Sequence, residues 1–215
     1  VNVIQSCVPA IQNAWNVPAT DLNAILTAIR IASYGHDMEI DTICPACETQ
    51  TEYTLDLRQL LDAIKSGDYH KPLVRGDLTI SFAPMDYARQ NESSQYQFEQ
   101  QKNIQNIQNS PDLTDEQKIQ ALNAALQQIT ELTMSALKWS IASIKTPTAI
   151  VTEPEFIEEF LKSCDRKLYV AIRDHIIGLR EASEFKPLDI KCSNCNHEYK
   201  QTFNLDQTAF FEVAS

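Results

Sequence analysis

Six cysteines and four histidines are the side chains in this sequence best suited to hold a metal or do thiol chemistry. Four of the cysteines fall into two Cys-x-x-Cys motifs, Cys44-Pro45-Ala46-Cys47 and Cys192-Ser193-Asn194-Cys195. Two thiolates with two residues between them can face one ion from a single tight turn. Two such knuckles supply the four sulfurs of a closed tetrahedral site, with metal–sulfur distances of about 2.3 Å. A four-thiolate set suits zinc or iron–sulfur chemistry, and the spacing here is unlike the runs that hold four-iron clusters. Cys44, Cys47, Cys192 and Cys195 are therefore the expected ligands of one structural zinc, with mononuclear iron as the alternative. Two separate metals with outside ligands is the other arrangement, disfavoured because no second pair of ligands lies near either knuckle.

Competing readings of the motifs are weaker. A redox dithiol usually follows a strand and opens a helix, whereas both motifs here precede strand-like segments. Two unrelated pairs of buried thiols is the remaining reading. Neither motif is followed by glycine: Glu48 and Asn196 stand there, and only the asparagine readily accepts a left-handed backbone. His197 adjoins the second motif and reads as a surface residue. His36, His70 and His175 lack ligand spacing, and Cys7 and Cys164 read as plain buried thiols. The pairs Asp115-Glu116 and Glu158-Glu159 sit at helix starts or faces, where carboxylates are common. With no catalytic elbow, HExxH or phosphate loop, and no open position on a four-thiolate metal, the chain is expected not to be an enzyme.

The elements that must position these residues come from periodicity. A helix is expected from Thr20 as cap, through Leu22, Ile25, Leu26 and Ile29, ending at Gly35. Tyr53 to Leu57 alternates like a strand, and a short helix follows from Arg58 to Ser66. Leu78, Ile80 and Phe82 alternate again before Pro84. Residues 86–109 are rich in Gln, Asn and Ser and read as a polar helix, with a loop as the lesser alternative. After a turn at Asn109 to Asp112, Thr114-Asp115-Glu116-Gln117 is a capping box. The apolar stripe Ile119, Leu122, Leu126, Ile129, Leu132, Leu137 and Ile141 then predicts a long amphipathic helix. Thr152-Glu153-Pro154-Glu155 reads as a second capping box, and Asp165 as the cap of a further helix.

An internal repeat ties the motifs to these elements. MEIDTICPACETQTEYTLDL (38–57) matches LDIKCSNCNHEYKQTFNL (188–205), with Leu55 opposite Phe203 and Leu57 opposite Leu205. Each copy follows a helix containing Ala-Ile-Arg, at 28–30 and 171–173. The expected fold is mainly α with short antiparallel β hairpins. Its centre is a split zinc ribbon formed by two CxxC knuckles from a repeated helix-strand-knuckle-strand unit. Residues 1–85 and 146–215 are expected to form one zinc-stapled core domain, with 86–145 an inserted polar helical hairpin.

Composition narrows the partners. A net charge of −11 and no basic patch argue against nucleic acid. Four glycines, none clustered, argue against a nucleotide-binding loop. No apolar stretch reaches the length of a membrane span, and VNVIQSCVPAIQ has neither the cationic nor the apolar segment of a signal peptide. The expected compartment is the reducing cytoplasm, where cysteines serve as thiols and metal ligands.

At these residues the chain resembles a known family. CPAC at 44–47, CSNC at 192–195, the hairpins after them and PLVRGDLTISF at 72–82 are similar to the baseplate hub proteins of T4-like tailed phages. The polar helical hairpin fits as well, and the resemblance runs from about Thr20 to Leu205. It implies a non-enzymatic structural or assembly component of the tail baseplate hub, made in the host cytoplasm and carried in the virion. Its partners would be other hub and tail proteins, met through the acidic surface and the polar hairpin, with a symmetric assembly as one such arrangement. Carried over to single residues it supports only Cys44, Cys47, Cys192 and Cys195. The alternative function is a zinc-ribbon regulatory or transcription adaptor, which would need a basic or polymerase-binding face that the sequence does not show.

Overall fold

The computed structural model describes residues 1–111 and 113–203. Among these, helices and short antiparallel strands alternate. The first part of the chain holds α1 (Asn2–Cys7), α2 (Leu22–Tyr34), β1 (Asp37–Ile43), β2 (Gln50–Asp56) and α3 (Leu57–Ala63). The middle holds β3 (Leu73–Arg75), β4 (Leu78–Phe82), α4 (Tyr87–Asn109), α5 (Asp115–Lys138), β5 (Ile141–Lys145) and β6 (Ile150–Val151). The last part holds α6 (Pro154–Ser163), α7 (Arg166–Glu181), β7 (Leu188–Lys191) and β8 (Glu198–Gln201).

These elements form two compact units. The first comprises Val1–Ala14, Thr20–Gly67 and the described chain from Glu181 on. It contains two hairpins: β1 with β2, in register from Asp37↔Asp56 to Ile43↔Gln50, and β7 with β8, from Leu188↔Gln201 to Lys191↔Glu198. Helices precede both hairpins in the chain, α2 the first and α7 the second, so the helix-strand-knuckle-strand order occurs twice. Gly35 ends α2 with φ of 88°, a conformation a side chain resists. Ile4, Ala14, Leu22, Leu26, Ile29, Leu55, Leu57, Leu60, Ile190 and Phe203 are buried apolar residues of this unit, alongside the thiols of Cys44 and Cys192. Leu55 and Phe203, matched by the repeat, are both buried; their companion Leu205 lies outside the described residues.

The second unit is Trp15–Ala19 with Asp68–Arg180. Its sheet has the order β3-β4-β5-β6, antiparallel throughout. Ile80, Phe82, Ile141 and Ile144 from the sheet pack with Leu137, Ile157, Leu161, Ile172, Ile176 and Leu179 from α5, α6 and α7. α4 packs on α5 and carries no buried residue of its own, so the Gln/Asn-rich segment is a solvated helix.

Several local expectations shift. Thr20 does not cap α2; a 3-10 turn at Ala19–Asp21 precedes the helix, and the Thr20 hydroxyl donates to Asp21. Asp56 ends β2 and accepts from the Arg58 N–H as the cap of α3, so Leu57 opens the helix rather than closing the strand, and the helix stops at Ala63 rather than Ser66. The capping box at Thr114 forms on both sides. That at Thr152 does not: Pro154 takes the first helical position, which moves the cap to Glu153. Asp165 does cap, accepting from the N–H groups of Lys167 and Leu168 at 2.8 and 3.0 Å. The stripe assigned to α5 ends early, because Ile141 belongs to β5.

Candidate metal centre

Each knuckle is a turn closed by the same two backbone bonds. The Cys44 N–H donates to the Thr49 carbonyl at 3.1 Å, and the Glu48 N–H to the Cys44 carbonyl at 2.9 Å. In the second copy Cys192 donates to His197 at 2.9 Å, and Asn196 to Cys192 at 3.0 Å. The residue after the second cysteine is left-handed in both, with φ of 55° at Glu48 and 59° at Asn196. This curl aims both sulfurs of a motif to one side, and the flanking strands hold the turn in place. The first cysteine of each knuckle is buried, while Cys47 is half-buried and Cys195 exposed.

The turns bring the four thiols together. Their sulfurs all lie within 4.8 Å of one another. Cys44 Sγ is 3.6 Å from Cys195 Sγ, and Cys47 Sγ is 3.7 Å from Cys192 Sγ. A tetrahedron with metal–sulfur bonds of about 2.3 Å has edges of about 3.8 Å, whereas a disulfide needs about 2.05 Å. The spacing fits four ligands around one ion and fits no S–S bond. This group could hold a metal ion.

The surroundings of the sulfurs are polar and specific. The Thr49 hydroxyl lies 3.3 Å from Cys47 Sγ, and the Asn194 amide of the other knuckle reaches the same sulfur at 3.7 Å. Hydrogen bonds from Thr49, side chain first and then backbone, together with Asn194, hold the Cys47 thiol down at about 6. The Cys192 thiol is lowered too, chiefly by the backbone of Cys195. At Cys195 the backbone of His197 pulls downward, but the bond to Cys47, burial and the contacts with Cys44 and Cys192 prevail and push it up to about 12. Sulfurs this close cannot all ionise side by side without a cation between them. Behind the knuckles the Tyr199 hydroxyl donates to buried Thr42 at 3.0 Å, joining β8 to β1.

The other candidates stand elsewhere. His197 is exposed and stacks on Tyr199 at 6.3 Å. His36 lies 3.5 Å from Asp37, and His175 stacks on Phe82 at 4.5 Å in the second unit. His70 is exposed. Cys164 is half-buried, and burial raises its thiol pKa. Cys7 was expected to be buried and is exposed, because α1 turns only Ile4 inward. Thr49 and Asn194 are not among the residues expected at the site, yet they lie against the sulfurs. The only signal available was a polar residue inside the second motif where the first has Ala46.

A sequence profile described as T4 bacteriophage base plate protein matches residues 1–212. The chain belongs to this base plate family. Membership implies a place in the phage tail and contact with other tail proteins. No curated protein and no solved structure matches the chain significantly. Among the described residues of this base plate family member, no helix is long and apolar enough to cross a membrane.

Proposed function

We propose that the chain is a non-enzymatic structural or assembly component of the base plate hub, stapled by one zinc ion on Cys44, Cys47, Cys192 and Cys195. The observation that carries this reading is the cluster of four sulfurs on two copies of one turn, in a base plate family member. Zinc is favoured over iron because it needs only a closed tetrahedral thiolate set and no redox partner. Bound there, the ion supplies charge neutralisation and a cross-link rather than a reaction. The cross-link joins residues 145 positions apart, so it holds the two hairpins of a split ribbon together. Such a centre has no position for substrate, which supports a non-enzymatic role.

The contact surface for neighbouring tail proteins is read as the α4–α5 hairpin and the acidic exterior. Phe98, Ile119 and Leu126 expose 68%, 59% and 55% of their surface on that hairpin and are the large apolar side chains it offers to a partner. The test is genetic and biochemical. Phage carrying Cys192→Ser should accumulate incomplete base plates, and mass spectrometry of purified tails reports whether the chain stays in the particle. Normal base plates from the mutant phage would overturn the proposal.

A further inference from the structure

The two knuckles are near-copies in backbone, yet the donors around their sulfurs are unequal. Asn194 Nδ2 lies 3.1 Å from Thr49 Oγ1 and 3.7 Å from Cys47 Sγ, reaching from the second knuckle to the first. The repeat places Ala46 opposite Asn194 and His197 opposite Thr49. Alanine has no donor, so the first knuckle cannot return the contact. The turn itself does not call for asparagine at 194: among the described residues, the left-handed position of that knuckle is Asn196.

We propose that Asn194 and Thr49 are positioning residues that form a clasp between the knuckles, fixing Cys47 Sγ as a ligand and slowing metal release. The inference rests on the four-thiolate reading above. The Thr49 hydroxyl accepts the Asn194 N–H at 3.1 Å and lies 3.3 Å from the Cys47 sulfur; it accepts from the thiol and donates at 3.5 Å to the Cys47 carbonyl, and a thiolate, having no proton to give, would take the hydroxyl proton instead. A Cys47 thiolate thereby receives donors from both residues, and bonds to a charged acceptor are the stronger kind. Such outer partners orient a ligand and set how firmly it holds its ion. Because Asn194 is exposed, its removal should leave the fold intact.

The test measures metal release from the full chain, loaded with zinc, to a chromophoric chelator. Cobalt-loaded protein provides thiolate-to-metal absorption as a second readout. Asn194→Ala should release zinc about tenfold faster, within the roughly ten- to hundredfold range of lost outer partners. Asn194→Asp should be faster still, since it sets a carboxylate beside a thiolate. Thr49→Val should resemble Asn194→Ala, while Thr49→Ser, which keeps the hydroxyl, should stay near the parent. Ser193→Ala on the same turn should leave the rate unchanged. Parent-like release rates and cobalt spectra from both Asn194→Ala and Thr49→Val, with one ion per chain, would overturn the clasp alone. A parent chain that binds no metal would overturn the four-thiolate reading and the clasp with it.

Discussion

Glu48 and Asn196 bear the backbone cost of bringing four sulfurs together. Both are left-handed, at φ of 55° and 59°, which costs an ordinary side chain about 1–2 kcal/mol. Asparagine resists this less than glutamate. Glu48→Gly should therefore raise the stability of the metal-loaded protein by about 1 kcal/mol, and Asn196→Gly by less. Denaturant midpoints measure both, and a destabilised Glu48→Gly would contradict the strain. The motif, its spacing and the residues that need a left-handed turn were legible in the sequence, because two thiols three positions apart that face one ion restrict the backbone. Which sulfurs adjoin was not, nor the Asn194–Thr49 contact, since both depend on how two hairpins meet across 145 residues.

At the scale of elements, legibility followed periodicity and failed where a bulge disguised it. Ile80 and Phe82 alternate on β4 and pair with Ile144 and Ile141 on β5, with a register shift between Ser81 and Phe82. Two positions on one strand thus oppose three on the other. Ile141, four positions after Leu137, is spaced like a helix neighbour and so falls into the stripe expected for α5. The end of α5 is tied to α6 instead by charge: Glu158 pairs with Lys138 and, at 2.7 Å, with Lys162. These partners, Lys138 first, hold the Glu158 carboxyl down at about 2. A lowered carboxyl pKa stabilises the fold above its unfolded value of about 4.3, and that contribution is lost as pH falls through about 2. The stability gap between the parent and Glu158→Gln should thus be full at pH 5 and disappear near pH 2. Urea titrations across that range measure it, and a gap that widens on acidification would contradict the pairing.

At the scale of the whole molecule, the two units draw on different sources of stability. The second has its own apolar core of sheet and helices, while in the first Cys44 and Cys192 are among the most deeply buried side chains. If the proposed ion is bound, its removal would leave close thiols in place of a cross-link, and binding free energy at such sites is folding free energy. Chelation should therefore expose β1, β2, β7 and β8 to hydrogen exchange while β4, β5, α6 and α7 stay protected. Equal loss of protection in both units would contradict this division. The central claim is the zinc staple, and metal content tests it most directly. Mass spectrometry on protein purified without added metal should find one zinc per chain, and none in Cys192→Ser together with loss of cooperative folding in the first unit. Zinc-free protein that still folds, with a reversible disulfide between Cys44 and Cys47, would contradict the account and make the motifs a redox pair.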